Sequence, residues 1–125
     1  MGIMCSKCFE ICYSFEGCNI CLRKDCDGEK VIIDNLMLPI IQILNQKKYK
    51  TIACCSGHVE DAESFTYIKF DDSVDLPYMP EEFRYRGYTV IQCIIMTSTC
   101  KDIDIDINIK NLLQWAMSLP INPLY

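Results

Sequence analysis

Asp34-Asn-Leu-Met-Leu-Pro39-Ile-Ile-Gln-Ile-Leu44-Asn-Gln-Lys-Lys-Tyr49-Lys-Thr-Ile-Ala-Cys54-Cys-Ser-Gly57 is the stretch on which the fold turns. Leu36, Ile40, Ile43 and Leu44 recur at helical spacing, with Gln42, Asn45, Gln46 and Lys47 on the far side. Asp34 offers an N-cap carboxylate, and Lys47, Lys48 and Lys50 follow where the negative end of a helix dipole favours cations. Pro39 falls about one turn inside this pattern, which predicts a kink or a late start. Tyr49 to Cys55 then reads as a short buried strand, closed by a turn at Ser56-Gly57. A helix that runs straight into a strand points to an α/β (α+β) chain.

Working outward, Phe65 to Phe70 alternates as a strand does, and the acidic, proline-bearing stretch from Asp71 to Pro80 predicts a loop. Tyr88 to Thr97 is β-branched and aromatic, which predicts a core strand. Residues 103 to 109 alternate Ile with Asp or Asn, a period-2 pattern, yet they lead into an apolar face of Ile109, Leu112, Leu113, Ala116 and Met117. The reading favours a helix from about 107 to 118, ended before Pro120, with Trp115 in the core. The carboxylates of Asp102, Asp104 and Asp106 read as alternating surface charge. The expected architecture is one small mixed sheet with two flanking helices and a Cys-rich, metal-bound N-terminal lobe. The turn Asp25-Cys26-Asp27-Gly28 marks the boundary, giving a lobe over 1–28 and a core over 29–125.

Composition narrows the classes. A chain of 125 residues, half of them hydrophobic and 23% charged, has enough apolar material for one core and is not a disordered segment. The net charge of −5 repels phosphate backbones, so broad, non-specific nucleic-acid binding is disfavoured. Asp34, Gln42 and Asn45 interrupt the longest apolar candidate well short of the roughly 20 residues that span a bilayer. The first residues do not form a secretory signal. These features predict a cytoplasmic chain with no membrane segment.

Ten cysteines are the outlying number. Six of them, Cys5, Cys8, Cys12, Cys18, Cys21 and Cys26, fall in the first 26 residues. In a reducing compartment clustered thiols bind metal more often than they form disulfides. Cys5/Cys8 and Cys18/Cys21 are C-x2-C pairs, and two such knuckles complete the tetrahedral sulfur shell that zinc prefers. Cys12 and Cys26 leave a second arrangement open, in which six thiolates share two zinc ions, and an iron–sulfur cluster is a third. Lys7, Glu10, Glu16, Arg23, Lys24 and Asp25 make the segment too polar for a core of buried thiols, so metal would supply the folding energy.

Within residues 31–58, Asp34, Asn45, Tyr49, Thr51, Cys55, Ser56 and Gly57 fall on a pattern that resembles the start of the wybutosine-synthesising tRNA methyltransferase family: an Asp-led helix, Leu-Asn, a Tyr/Thr strand and a Cys-Ser-Gly loop. The resemblance implies an α/β core with its ligand loop at Cys55–Gly57, and S-adenosylmethionine as cofactor if the activity carries over. His58 stands where that family has arginine, Ala53-Cys54 replace its usual serines, and its later motifs are absent.

The loop has a physical reading of its own. A strand ending in Cys-Ser-Gly offers successive N–H groups and a hydroxyl to an anion, Gly57 lets a ligand approach, and a protonated His58 adds charge. Arg84 and Arg86, alternating in Phe-Arg-Tyr-Arg-Gly-Tyr on an exposed strand edge, are further candidates to grip the same anion. The expected function is therefore a small zinc-binding protein, leaning away from catalysis. It would recognise a nucleotide-like or other anionic ligand, or a protein partner, through Cys55, Ser56, Gly57 and His58. An inhibitor encoded by a phage or mobile element fits that reading, and an S-adenosylmethionine-dependent RNA-modifying enzyme is the alternative.

Overall fold

A computed structural model describes residues 2–12, 26, 28–56, 66–80, 83–85, 90–93 and 102–122, with the backbone alone described at 12, 84–85, 90–93 and 102–104. In chain order the elements are β1 (Gly2–Cys5), β2 (Ile11–Cys12), β3 (Lys30–Ile33), α1 (Leu38–Gln46), β4 (Thr51–Cys55), β5 (Tyr67–Phe70), β6 (Phe83–Tyr85), β7 (Val90–Cys93) and α2 (Asp102–Ser118). The fold is α+β, with two helices and a Cys cluster near the N-terminus, as the sequence predicts. Its strands divide over two sheets, ordered β2-β1-β3 and β4-β5-β7-β6, and every pairing is antiparallel.

The first sheet arises in a segment with little periodicity. Ile3, Met4 and Cys5 are buried, and β3 pairs with β1 in the register Gly2↔Ile33 to Cys5↔Lys30. Residues on both sides of Gly28 therefore share one sheet, and Met4 and Ile33 join the common core. In the second sheet Ile68 and Phe70 are buried on one face of β5, the alternation that the sequence shows. β4 begins at Thr51 and is half exposed, where the sequence predicts a buried strand from Tyr49; it is an edge strand, covered on one side only. Residues 71–80 form the expected loop, β7 falls within the strand expected at Tyr88 to Thr97 and pairs on both sides, and β6 is an edge.

Pro39 does delay α1. The helix starts at Leu38, with Pro39 in its first turn and Met37 as an N-cap residue that makes no side-chain cap bond. Asp34 caps an earlier turn instead, its carboxylate accepting the Leu36 N–H at 3.1 Å and its carbonyl the N–H groups of Met37 and Leu38. Leu36 is consequently outside the helix and exposed, while Leu38, Ile40, Ile41 and Leu44 form the buried stripe. Asn45, expected on the far side, is buried: its amide donates to Ile41 O and Thr51 Oγ1 and its Oδ1 accepts the Thr51 N–H. It thereby fixes the start of β4 against the end of α1.

α2 begins five residues before the expected 107 and ends before Pro120 as expected. Its helical period prevails over the period-2 pattern because Ile105, Asn108, Leu112, Trp115 and Ala116 then fall on one buried stripe, whereas Met117, expected on the apolar face, is exposed. The two helices pack together, and their joined ends are clamped. Tyr49 Oη donates to Pro120 O at 2.7 Å, and Asn122 donates to the carbonyls of Lys47 and Lys48. Lys47, expected to serve its own helix, instead sends Nζ to Ala116 O, Met117 O and Leu119 O at 2.6–2.8 Å, neutralising the negative end of α2. Lys47→Met keeps the aliphatic stem and removes that charge. It should lower stability by about 2 kcal/mol, read from the urea midpoint, because three carbonyls lose a charged donor at a helix terminus.

Candidate metal centre and adjoining cavity

Cys5 and Cys8 sit on the hairpin that joins β1 to β2. Cys5 N–H donates to Glu10 O at 2.9 Å and Phe9 N–H to Cys5 O at 3.2 Å, so the four residues between them form a tight knuckle. Phe9 adopts a left-handed backbone (φ 62°), which turns the chain back along β1. Inside the knuckle the Lys7 N–H points at Cys5 Sγ at 3.4 Å, a donor that favours thiolate. α1 holds it from outside, Gln42 Nε2 donating to Phe9 O at 2.8 Å.

Cys26 arrives by strand register. Lys30 lies opposite Cys5, so the residues that precede β3 run alongside the knuckle. Ser6 N–H donates to Glu29 O and Glu29 N–H to Ser6 Oγ, both at 2.9 Å. The sulfurs of Cys5, Cys8 and Cys26 consequently lie within 4.8 Å of one another. The Cys5–Cys26 Sγ separation is 3.7 Å. Two thiolates on one tetrahedral zinc, each with a Zn–S bond of about 2.3 Å, stand about 3.8 Å apart, whereas a disulfide holds its sulfurs at about 2.05 Å. Gly28 is needed for this approach: a Cβ there would stand 2.3 Å from Cys5 Sγ and 3.2 Å from the Lys7 nitrogen. Three sulfurs so placed could hold a metal ion.

Of the four predicted ligands the structure thus joins Cys5 and Cys8, and it adds Cys26, one of the two further candidates. Cys12 lies on β2 opposite Ile3, and Cys18 and Cys21 fall outside the described residues. The spacing offers Cys26 as a candidate, but its place beside Cys5 follows from the strand at Lys30–Ile33, which the sequence does not signal because three of its four residues are exposed.

The predicted loop adjoins a cavity of about 580 Å3 between the two sheets. Met4, Ser6 and Phe9 from the knuckle hairpin, Val31 to Asp34, Ile41, Asn45, Lys48, and Lys50 to Cys55 line it. Cys55 closes β4 and is half-buried. Ser56 is buried, donates from Oγ to Asp34 Oδ2 at 2.5 Å and accepts the Thr66 hydroxyl at its carbonyl, and Asn108 of α2 donates to Thr66. This buried relay draws the ends of β3 and β4 together and anchors them to α2. Gly57, His58 and Arg86 lie outside the described residues. Arg84 falls in one row with Cys55 through Tyr67 and Gln92, but on β6, the opposite edge of the sheet. Three strand spacings, about 14 Å, separate the two backbones.

Cys54 also faces this region. Burial pushes its thiol up to about 12 from an ordinary 9.0, and the nearby Asp34 carboxylate and Cys55 add to the effect. A thiol held neutral is a poor nucleophile. At pH 8.5 Cys54 should react with iodoacetamide on the order of a hundred to a thousand times more slowly than in urea-unfolded chain, read by peptide mapping. Because the folded chain keeps this proton while the unfolded chain releases it, the contribution to stability is complete below about pH 9 and is lost as pH rises toward 12.

No family model, curated protein or solved structure matches this chain. No helix among the described residues is long and apolar enough to cross a membrane.

Proposed function

We propose that this chain is a zinc-stapled recognition module that binds its ligand in the cavity between β3 and β4. The observation that carries the proposal is the trio of Cys5, Cys8 and Cys26, with a 3.7 Å sulfur separation suited to an edge of a tetrahedral thiolate site. Zinc here is structural. A fourth thiolate from Cys12, Cys18 or Cys21 closes the shell, and the ion fixes the knuckle that forms one end of the cavity through Ser6 and Phe9. Recognition rather than catalysis is supported by the neutral Cys54 thiol and by the engagement of the Asp34 carboxylate with Ser56 and Leu36. Lys48 and Lys50 supply the positive charge that an anionic ligand or an acidic partner requires.

Metal analysis and native mass spectrometry of purified chain test the metal. At least one zinc per chain is expected, and cobalt substitution should give the absorption bands of a tetrahedral thiolate site. Metal-free protein that folds fully would sink the reading, and visible absorbance bleached by reduction would replace zinc with iron–sulfur. A methyltransferase-like reading has one observation in its favour: Asp34, Asn45, Thr51 and Cys55, four positions of the sequence resemblance, line the same cavity. A thermal shift with S-adenosylmethionine, and none with free nucleotides, would favour that enzyme over the binder.

A further inference from the structure

The cavity is walled mainly by aliphatic side chains. Val31, Ile32 and Ile52 line it and are 39%, 58% and 56% exposed, so the folded chain leaves apolar wall uncovered that a guest would bury. Its inner polar groups are already engaged. Asn45 bonds Ile41 and Thr51 through both ends of its amide, and the Asp34 carboxylate accepts the Ser56 hydroxyl and the Leu36 N–H. Lys48 and Lys50 are exposed and are the only cations, and Asp34 the only anion, among the described residues that line the cavity. These charges are separated along one strand. Lys48 and Lys50 lie just before the first residue of β4, and Asp34 is bonded to Ser56, just after its last. The five residues of β4, about 16 Å of strand, stand between the cations and the anion. Lys50 also feels the Asp71 carboxylate, which Ser73 holds by two hydrogen bonds.

We infer that this cavity is a binding site for a free, single-chain carboxylate of medium length, its head at Lys48 and Lys50 and its alkyl tail along Val31, Ile32 and Ile52. The inference rests on the recognition reading above and names the ligand class. A head at the lysines gains from two positive charges, whereas a head at the other end of β4 would meet the like charge of Asp34. Walls of Val, Ile and Met side chains with one aromatic ring, that of Phe9, reward apolar area more than stacking, which favours an alkyl chain over a nucleobase. Each methylene removed from water by such walls should tighten binding about fourfold. A volume of about 580 Å3 is of the size that small-molecule sites commonly have, about 300–1,000 Å3.

The test titrates the full, metal-loaded chain with hexanoate, octanoate and decanoate by calorimetry, below the concentrations at which they form micelles. Affinity should rise about fourfold per added methylene. Octanoate should bind at least tenfold more tightly than octanol or octyltrimethylammonium, which keep the tail and change the head. The paired Lys48→Gln and Lys50→Gln changes should weaken octanoate at least tenfold and leave octanol within twofold, a split that loss of structure would not give. Ile52→Asp should weaken octanoate and octanol alike, with metal content and circular dichroism unchanged. Absence of decanoate binding, equal binding of the three heads, or a lysine pair without effect would each overturn the inference. Binding of adenosine monophosphate or S-adenosylmethionine that Ile52→Asp abolishes, with no binding of decanoate, would overturn it too while leaving the cavity a recognition site. A chain that folds fully without metal overturns the zinc reading instead, and the carboxylates are titrated in either case, so the failures are distinguishable.

Discussion

Replacing Cys5 with serine is expected to release the metal and to unravel the sheet of β1, β2 and β3. Cys5 is fully buried, its sulfur lies 3.7 Å from that of Cys26, and its backbone carries both the knuckle and the last pair of the β1–β3 ladder. A structural zinc contributes about 10–16 kcal/mol of apparent folding free energy, as much as or more than the entire net stability of an ordinary domain. The sheet it staples is small, and of β3 only Ile33 is buried, so the metal carries much of what holds that strand to β1. Native mass spectrometry should show the mass of one zinc missing. Hydrogen exchange should find residues 2–12 and 28–33 unprotected while α1 and α2 remain slow. Gly28→Ala should have the same direction with a smaller effect, a metal affinity at least tenfold lower, because the new methyl would clash with Cys5 Sγ and displace it. A Cys5→Ser chain that retains a full equivalent of zinc would show that the metal is held elsewhere.

Trp115→Ala is expected to cost about 3–5 kcal/mol, the range for removing a large buried aromatic side chain. The indole is 5% exposed and meets Phe70 edge to face, with centroids 6.5 Å apart and planes at 81°. Its Nε1–H also donates to Tyr78 O at 2.9 Å, tying the 71–80 loop to α2. Truncation therefore opens a void between α2 and β5 and leaves a carbonyl without its donor. Urea unfolding followed by circular dichroism measures the loss, and Trp115→Phe, which keeps a ring and omits the hydrogen bond, should cost about 1–2 kcal/mol. A change below about 1 kcal/mol for the alanine variant would mean that α2 does not seal the core as the packing indicates.

Local signals carried α1, the strand after it, the alternation in β5, the loop at 71–80 and the end of α2 before Pro120. Each depends on interactions within a few residues: the period of apolar side chains, the conformational limits of proline, and the turn chemistry of Asp and Ser. The same signals show that the first 26 residues are rich in thiols and poor in apolar periodicity, which points to a metal. Where pairing joins distant segments, local signals are silent. Cys26 meets Cys5 and Cys8 because β3 pairs with β1 in one register, and a shift of one residue would carry it away. Lys47 looks like a cap for its own helix, yet the carbonyls it reaches belong to α2, some seventy residues later. Asn45 reads as solvent-facing until Thr51 folds back to bond with it. The sequence by itself determined that helices form around residues 38–46 and 107–118, that β5 alternates and where the thiols gather, because those follow from short-range sterics and composition. The tertiary structure alone decided which thiols meet, where a lysine's charge is used and that two strand edges flank one cavity, because each requires chain segments far apart in sequence to come into contact.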